Sequence, residues 1–209
     1  MRIASEGYRL IFTAAVVAVV ALFLQWQVLG LLFAAAALAI TFFFRDPERH
    51  PPEGRGLVLA PADGKVVAIN QGAKIPMAEF AGTQVSIFLS PLDVHINRTP
   101  IGGKVEEKLY RAGKFRAAYR DKASEDNEQN SLTIVDAAGK RVRVVQIAGA
   151  LARRIVCYAK PGDSLEIGQK FGLIMFGSRV DLFLPPDCRI EVRPGEHVRA
   201  GETIMGRFA

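Results

Sequence analysis

The sequence predicts a mainly β protein, in which an N-terminal helical hairpin of membrane character precedes a β-sandwich or barrel-like domain. Three observations carry this. Residues 10–44 contain no Asp, Glu, Lys or Arg. From residue 57 onward the chain breaks into short β-branched or alternating apolar segments separated by turn dipeptides. No segment after residue 50 has the apolar spacing of an amphipathic helix.

The uncharged run comes first. One membrane span needs about 20 residues, and this run has 35. It therefore predicts two short helices, about 10–24 and 28–44, joined by a turn at Gln25-Trp26-Gln27, with Gly30 following. Gln and Trp suit a turn at headgroup depth, and unpaired backbone groups cannot remain in hydrocarbon, so the arms must be helical. A signal peptide would show a single short apolar core with a small-residue cleavage site. An interfacial helix would need a charged face that the run lacks. Arg2 and Arg9 precede the run, Arg45 and Arg49 follow it, and the turn is uncharged. The positive-inside rule then predicts a cell-membrane protein with both ends, and the β domain, on the cytoplasmic side.

Arg45–Gly56 (RDPERHPPEGRG) reads as a linker, so the organisation is an anchor over 1–44, a linker over 45–56 and a β domain over 57–209. Strands are expected at Leu57–Leu59, Lys65–Asn70, Gln84–Leu89, Lys104–Tyr110, Ser131–Asp136, Arg141–Ile147 and Arg153–Tyr158. Two segments repeat: KPGDSLEIGQKFGLI from Lys160 and RPGEHVRAGETIMGR from Arg193. Each reads as a turn, a short strand, a glycine turn and a second strand. With Ala60–Ile69 they resemble the hairpin units of biotinyl/lipoyl-type β-sandwiches, an architecture that fixes no function. No modified-lysine context surrounds Lys65, which reads as a surface lysine. Asp121–Asn130 (DKASEDNEQN) reads as a surface loop, or as a lid facing substrate.

The formal net charge of +6 suits an anionic lipid surface. A nucleic-acid partner is disfavoured, since there is no basic helix, stacking motif or zinc spacing. Cys157 and Cys188 are expected as reduced thiols. His50, His95 and His197 lack ligand spacing, so no metal is expected.

Three features could carry chemistry. Gly177-Ser178 interrupts the apolar stretch Phe171–Leu184. Gly-Ser is commonly a turn, but a serine hydroxyl after glycine can also attack the preceding carbonyl, since no Cβ blocks the approach. The resulting ester can eliminate and hydrolyse to a pyruvoyl group, given a base and oxyanion donors. His95 lies in FLSPLDVHINRTP, where a structural histidine is the plainer reading. Asp63 lies in APADGKV, where turn chemistry is the plainer reading.

Taken together, Ala60–Val66, Phe88–His95, Asn127-Glu128 and Phe171–Ser178 fall in the order seen in phosphatidylserine decarboxylases. The chain resembles that family from about residue 45 to its C-terminus, most closely in its short archaeal-type form. APADGKV resembles the family's SPADG segment, SPLDVH resembles SPxDYH, NEQN resembles NER, and GQKFGLIMFGS resembles the approach to the LGS cleavage triplet. The resemblance implies a zymogen that cuts itself between Gly177 and Ser178 into 1–177 (β chain) and 178–209 (α chain). Ser178 becomes the pyruvoyl group that forms a Schiff base with the substrate amine, with no metal and no pyridoxal phosphate. His95 would be the acid–base and Asp63 the carboxylate orienting a histidine. The implied reaction converts phosphatidylserine to phosphatidylethanolamine and CO2 in phospholipid biosynthesis. Arg98, Arg153, Arg154, Arg179, Asn127 and Glu128 are the candidate substrate contacts. The partners are the lipid and the two chains of one precursor, with homo-oligomerisation left open. Two departures matter. Arg98 stands where many members have a second histidine, and Arg179 replaces the small hydroxyl residue after the triplet. The competing readings are a non-enzymatic membrane-anchored biotinyl/lipoyl-like adaptor or carrier, and a pyruvoyl enzyme acting on a soluble amino acid.

Overall fold

A computed structural model describes residues 2–74, 81–113, 127–149, 154–175 and 178–208. The chain divides into two compact units, 1–48 and 49–209.

In the first unit, β1 (Arg2–Ile3) pairs antiparallel with β2 (Arg45–Asp46), and between them run α1 (Tyr8–Phe23) and α2 (Gln27–Phe43). Gln25, with φ of 62°, turns the chain from one helix to the other. The helices meet through small residues. Ala14, Ala18 and Ala21 are buried, and a Cβ on Gly30 would come within 2.5 Å of the Leu22 side chain. Large apolar side chains point outward instead, among them Phe12, Phe23, Val28 and Leu38. This inverts a water-soluble helix pair and fits association with a membrane. Ser5–Phe23 is long and apolar enough to cross a bilayer, whereas Gln27–Phe43 is shorter. The linker expected over 45–56 differs from what is found: its first two residues form β2 in the helical unit, and Arg49 is built into the second unit.

The second unit contains β3 (Leu57–Leu59), β4 (Gly64–Lys74), β5 (Ala81–Leu89), β6 (Ile96–Arg98), β7 (Gly103–Arg111), β8 (Gln129–Val135) and β9 (Arg141–Ala148). These are followed by β10 (Arg154–Cys157), β11 (Ser164–Leu165), β12 (Lys170–Met175), β13 (Ser178–Leu184), β14 (Cys188–Ile190), β15 (His197–Val198) and β16 (Ile204–Phe208). An eight-stranded antiparallel sheet runs in the order β11-β7-β8-β9-β13-β5-β4-β15, and two three-stranded sheets run β10-β12-β6 and β14-β16-β3. The main core lies between them and includes Val58, Val66, Ile87, Leu132, Phe171, Ile174, Leu182 and Met205.

An internal twofold relation organises this unit. Lys104 and Gly103 pair with Ser164 and Leu165, while Lys65 and Gly64 pair with His197 and Val198. Val105 exchanges backbone hydrogen bonds with Gly162 and Asp163, as Val66 does with Gly195 and Glu196. APADGKV (60–66) is thus the counterpart of TPIGGKV (99–105), and the segments from Lys160 and Arg193 are the paired second halves. A Cβ on Gly64 would lie 2.2 Å from the Phe88 carbonyl oxygen, and one on Gly103 would lie 2.2 Å from that of Val135. Both glycines are required by the same close approach of two backbones.

The strand β13 was not among the expected strands, because its sequence does not alternate. All seven of its residues are buried, and a strand covered on both faces loses the period-two signal.

Candidate active site

Ser178 is the first residue of β13, paired with Leu89 at the end of β5 and with Ala148 at the end of β9. Alternation puts it on the same face as Val180, Leu182 and Leu184, all in the main core. Ser178 is fully buried, and among the described residues its Oγ has no hydrogen-bond partner. A buried hydroxyl normally finds one, so among the described residues this oxygen is an exception.

His95 is 2% exposed. Its Nδ1 lies 2.9 Å from the carbonyl oxygen of Asp93. A carbonyl can only accept, so Nδ1 carries the proton, and Nε2 is the nitrogen of the neutral ring that can take one up. The SPLD turn is closed locally: Ser90 N–H donates to Asp93 Oδ2 at 2.8 Å, and Asp93 N–H donates to the Ser90 carbonyl at 3.0 Å. The backbone of His95 is joined to β12, since Ile174 N–H donates to its carbonyl at 3.3 Å. His95 is thereby tied to the strand that ends three residues before Ser178.

Asn127 approaches Ser178 through Ala148. Its Nδ2 donates to the Ala148 carbonyl at 2.7 Å, and Ala148 N–H donates to the Glu128 carbonyl at 3.0 Å. Ala148 is the residue paired with Ser178 on β9. The Glu128 side chain turns elsewhere, to the exposed hydroxyl of Tyr110; partial desolvation, with this carboxylate, raises the pKa of that phenol. Behind this layer, Asn130 Nδ2 donates to Gln146 Oε1 (2.9 Å) and Gln146 Nε2 donates to Asn97 Oδ1 (2.8 Å), all three amides buried.

Asp63 is held differently from the expectation that it orients a histidine. Its Oδ2 accepts from Arg49 Nη2 at 2.6 Å, and its Oδ1 accepts from the Ala200 N–H at 2.8 Å. Arg49 also reaches Glu202 at 2.8 Å. Burial raises the Asp63 pKa, against the lowering effects of the Ala200 N–H and of Arg49. The carboxylate is not needed for the turn, because the twofold-related position is Gly102. Asp63 breaks the internal symmetry, and what it adds is the link to Arg49 and to residues 200–202. The orienting contact on the His95 ring comes instead from the Asp93 backbone.

The arginines separate. Arg98 Nη1 donates to the Gly168 carbonyl at 3.2 Å. Arg154 is exposed at the start of β10. Arg179 is neither at the surface nor free for a headgroup: it is 5% exposed, with Nε on Asp181 Oδ1 at 2.6 Å and Nη2 on Ser86 Oγ at 2.7 Å. Gly177, Arg153 and most of the loop 121–130 lie outside the described residues. Sequence reasoning missed Arg49, Glu202, Asn97 and Gln146. Only Arg49 carried a local signal, and its charge was read as topology.

The four segments singled out in the sequence therefore converge at one end of the large sheet. A family model described as phosphatidylserine decarboxylase matches residues 36–206. The chain belongs to the phosphatidylserine decarboxylase family. Curated relatives named phosphatidylserine decarboxylase proenzyme agree along nearly the whole length. The protein of Symbiobacterium thermophilum is 47% identical over 206 residues, 99% of this chain and 95% of that one. That of Geotalea uraniireducens is 43% identical over 204 residues (98% and 95%), and that of Saccharopolyspora erythraea is 46% identical over 198 residues (93% and 84%). The histidine of SPLDVH and the serine of the Gly-Ser pair are both buried, at residues 95 and 178.

Proposed function

We propose that this chain is a proenzyme that cuts itself between Gly177 and Ser178 and then decarboxylates phosphatidylserine to phosphatidylethanolamine and CO2 in phospholipid synthesis. The observation that supports it most is the fully buried Ser178 hydroxyl, lacking a hydrogen-bond partner among the described residues at the head of β13, in a chain of this family.

In maturation, Ser178 Oγ adds to the Gly177 carbonyl carbon, and the peptide C–N bond gives way to an ester with a free amine on residue 178. Loss of the Ser178 α-proton then expels the Gly177 carboxylate and leaves a dehydroalanine, which takes up water and releases ammonia. His95 Nε2 is the base for the hydroxyl proton, with Nδ1–H fixed on the Asp93 carbonyl. Asn127 holds the Ala148 edge against which residue 178 pairs. Asp63, clamped by Arg49, positions the segment leading into β4 against 200–202.

The residues at the site fit formation of a pyruvoyl group at 178, because the Ser178 oxygen that must attack the Gly177 carbonyl has no other hydrogen-bond partner among the described residues. Such a group supplies a carbonyl that condenses with a primary amine and accepts the electron pair released with CO2. His95 remains the acid that returns a proton to the product carbon. Arg98, Arg153 and Arg154 are the proposed contacts for the lipid phosphate; Arg179 is withdrawn from that set by its buried partners. The helical unit is proposed as the membrane anchor, with the β unit on the cytoplasmic side. We also read the twofold-related hairpins as biotinyl/lipoyl-like units.

The intact mass of the purified protein under denaturing conditions tests this. Wild type should give chains 1–177 and 178–209, the smaller lighter by one ammonia than hydrolysis would leave it, and should release CO2 from phosphatidylserine. Ser178→Ala should give one full-length, inactive chain, and His95→Ala should mature far more slowly. A single 22.8 kDa species from well-folded wild type would favour the adaptor reading instead.

A further inference from the structure

Cleavage at residue 178 creates a mechanical problem that the structure answers. Once the chain is cut, residue 178 becomes the end of β13. Terminal strand residues fray unless something ties them down, yet this one would carry the reactive carbonyl. A displacement of about 1 Å at a reacting atom can cost about a hundredfold in rate.

We propose that Arg179 is a positioning residue that pins the new N-terminus of the small chain from behind. The inference rests on the maturation reading above. Alternation along β13 sends the side chain of residue 178 into the core and that of residue 179 to the opposite face. There Arg179 Nε meets Asp181 Oδ1 at 2.6 Å and Nη2 meets Ser86 Oγ at 2.7 Å, while Gln84 Nε2 donates to Asp181 Oδ2 at 2.8 Å. Arg179, Asp181 and Ser86 are 5%, 1% and 0% exposed. Arg179 and Asp181 belong to the segment that becomes the small chain, and Gln84 and Ser86 lie on β5 of the large one. The cluster therefore staples the cut end to its neighbour strand across the break, in the register Arg179↔Phe88 and Asp181↔Ser86.

A buried ion pair is a poor source of stability compared with an apolar pair of equal volume, and its best-attested use is to fix register. That is the need here. A slip of one residue along β5 would turn residue 178 away from the core.

The test compares wild type with Arg179→Lys, Ser86→Ala and the double variant Arg179→Met/Asp181→Leu, the last removing both charges at similar volume. Each full-length protein is checked by intact mass and thermal melting, then assayed on phosphatidylserine in mixed micelles. The expected result is cleavage in every variant with kcat down about tenfold, the scale of one charge-assisted hydrogen bond, KM unchanged, and Arg179→Lys less impaired than the double variant. Wild-type kcat in the double variant overturns the proposal. So does a fall in kcat that comes with a rise in KM and tracks melting temperature, which marks a merely structural pair. Failure of the variants to cleave while wild type cleaves also overturns it, because Arg179 would then act before the bond is cut. Wild type remaining one uncut chain strikes instead at the maturation reading itself.

Discussion

Arg49 shows how much one side chain can connect. It binds Asp63 at 2.6 Å and Glu202 at 2.8 Å with its own side chain only 8% exposed. Removing one partner of a buried pair leaves the other charge uncompensated, which costs about 3–5 kcal/mol. Arg49→Met is therefore expected to lower stability by about that amount in urea unfolding and to slow maturation, while Glu202→Gln, whose side chain is 29% exposed, should lose less. Arg49→Lys restores the charge without the two-pronged geometry and should recover only part of the loss. Equal stability of Arg49→Met and wild type would show that the Ala200 N–H alone is enough to hold Asp63.

Between elements, the internal twofold makes a sharper comparison than any single strand. Gly64 and Gly103 occupy equivalent places, each with a neighbouring carbonyl oxygen 2.2 Å from where a Cβ would stand. They differ in backbone, since Gly64 has φ of 147° and Gly103 is not in the left-handed region. Gly103→Ala is expected to cost about 1–3 kcal/mol from overpacking. Gly64→Ala should cost more, because an added backbone strain of about 1–3 kcal/mol joins the clash. Urea unfolding in the Ser178→Ala background, where a single covalent chain unfolds, measures both. The same twofold shows why Asp63 is special: its counterpart Gly102 makes the turn without a carboxylate.

For the molecule as a whole, the boundary between the two units falls at Glu48–Arg49. A form beginning at Arg49 keeps the Asp63 clamp, and it is expected to mature normally while acting poorly on phosphatidylserine in vesicles. A form beginning at Pro51 loses the clamp and should mature slowly as well. Intact mass and CO2 release from vesicles separate the two effects. Full activity of the Arg49 form on vesicles would remove the helical unit from any anchoring role.

The sequence by itself determined what local periodicity and composition can encode. The uncharged run specified two helices, because hydrocarbon and apolar packing both demand paired backbones. Alternating segments specified β3, β4, β5 and β7–β10 to within a few residues, and four motifs in order specified the family. The tertiary structure decided the rest. β13 was hidden because burial on both faces erases alternation, and Arg179 became a buried staple because Asp181 on its own strand and Ser86 across the sheet meet it there. Arg49 joined Asp63 and Glu202, partners 14 and 153 residues away. A charge reads the same in sequence whether it faces water or a carboxylate, and only the fold brings the partner that fixes its role.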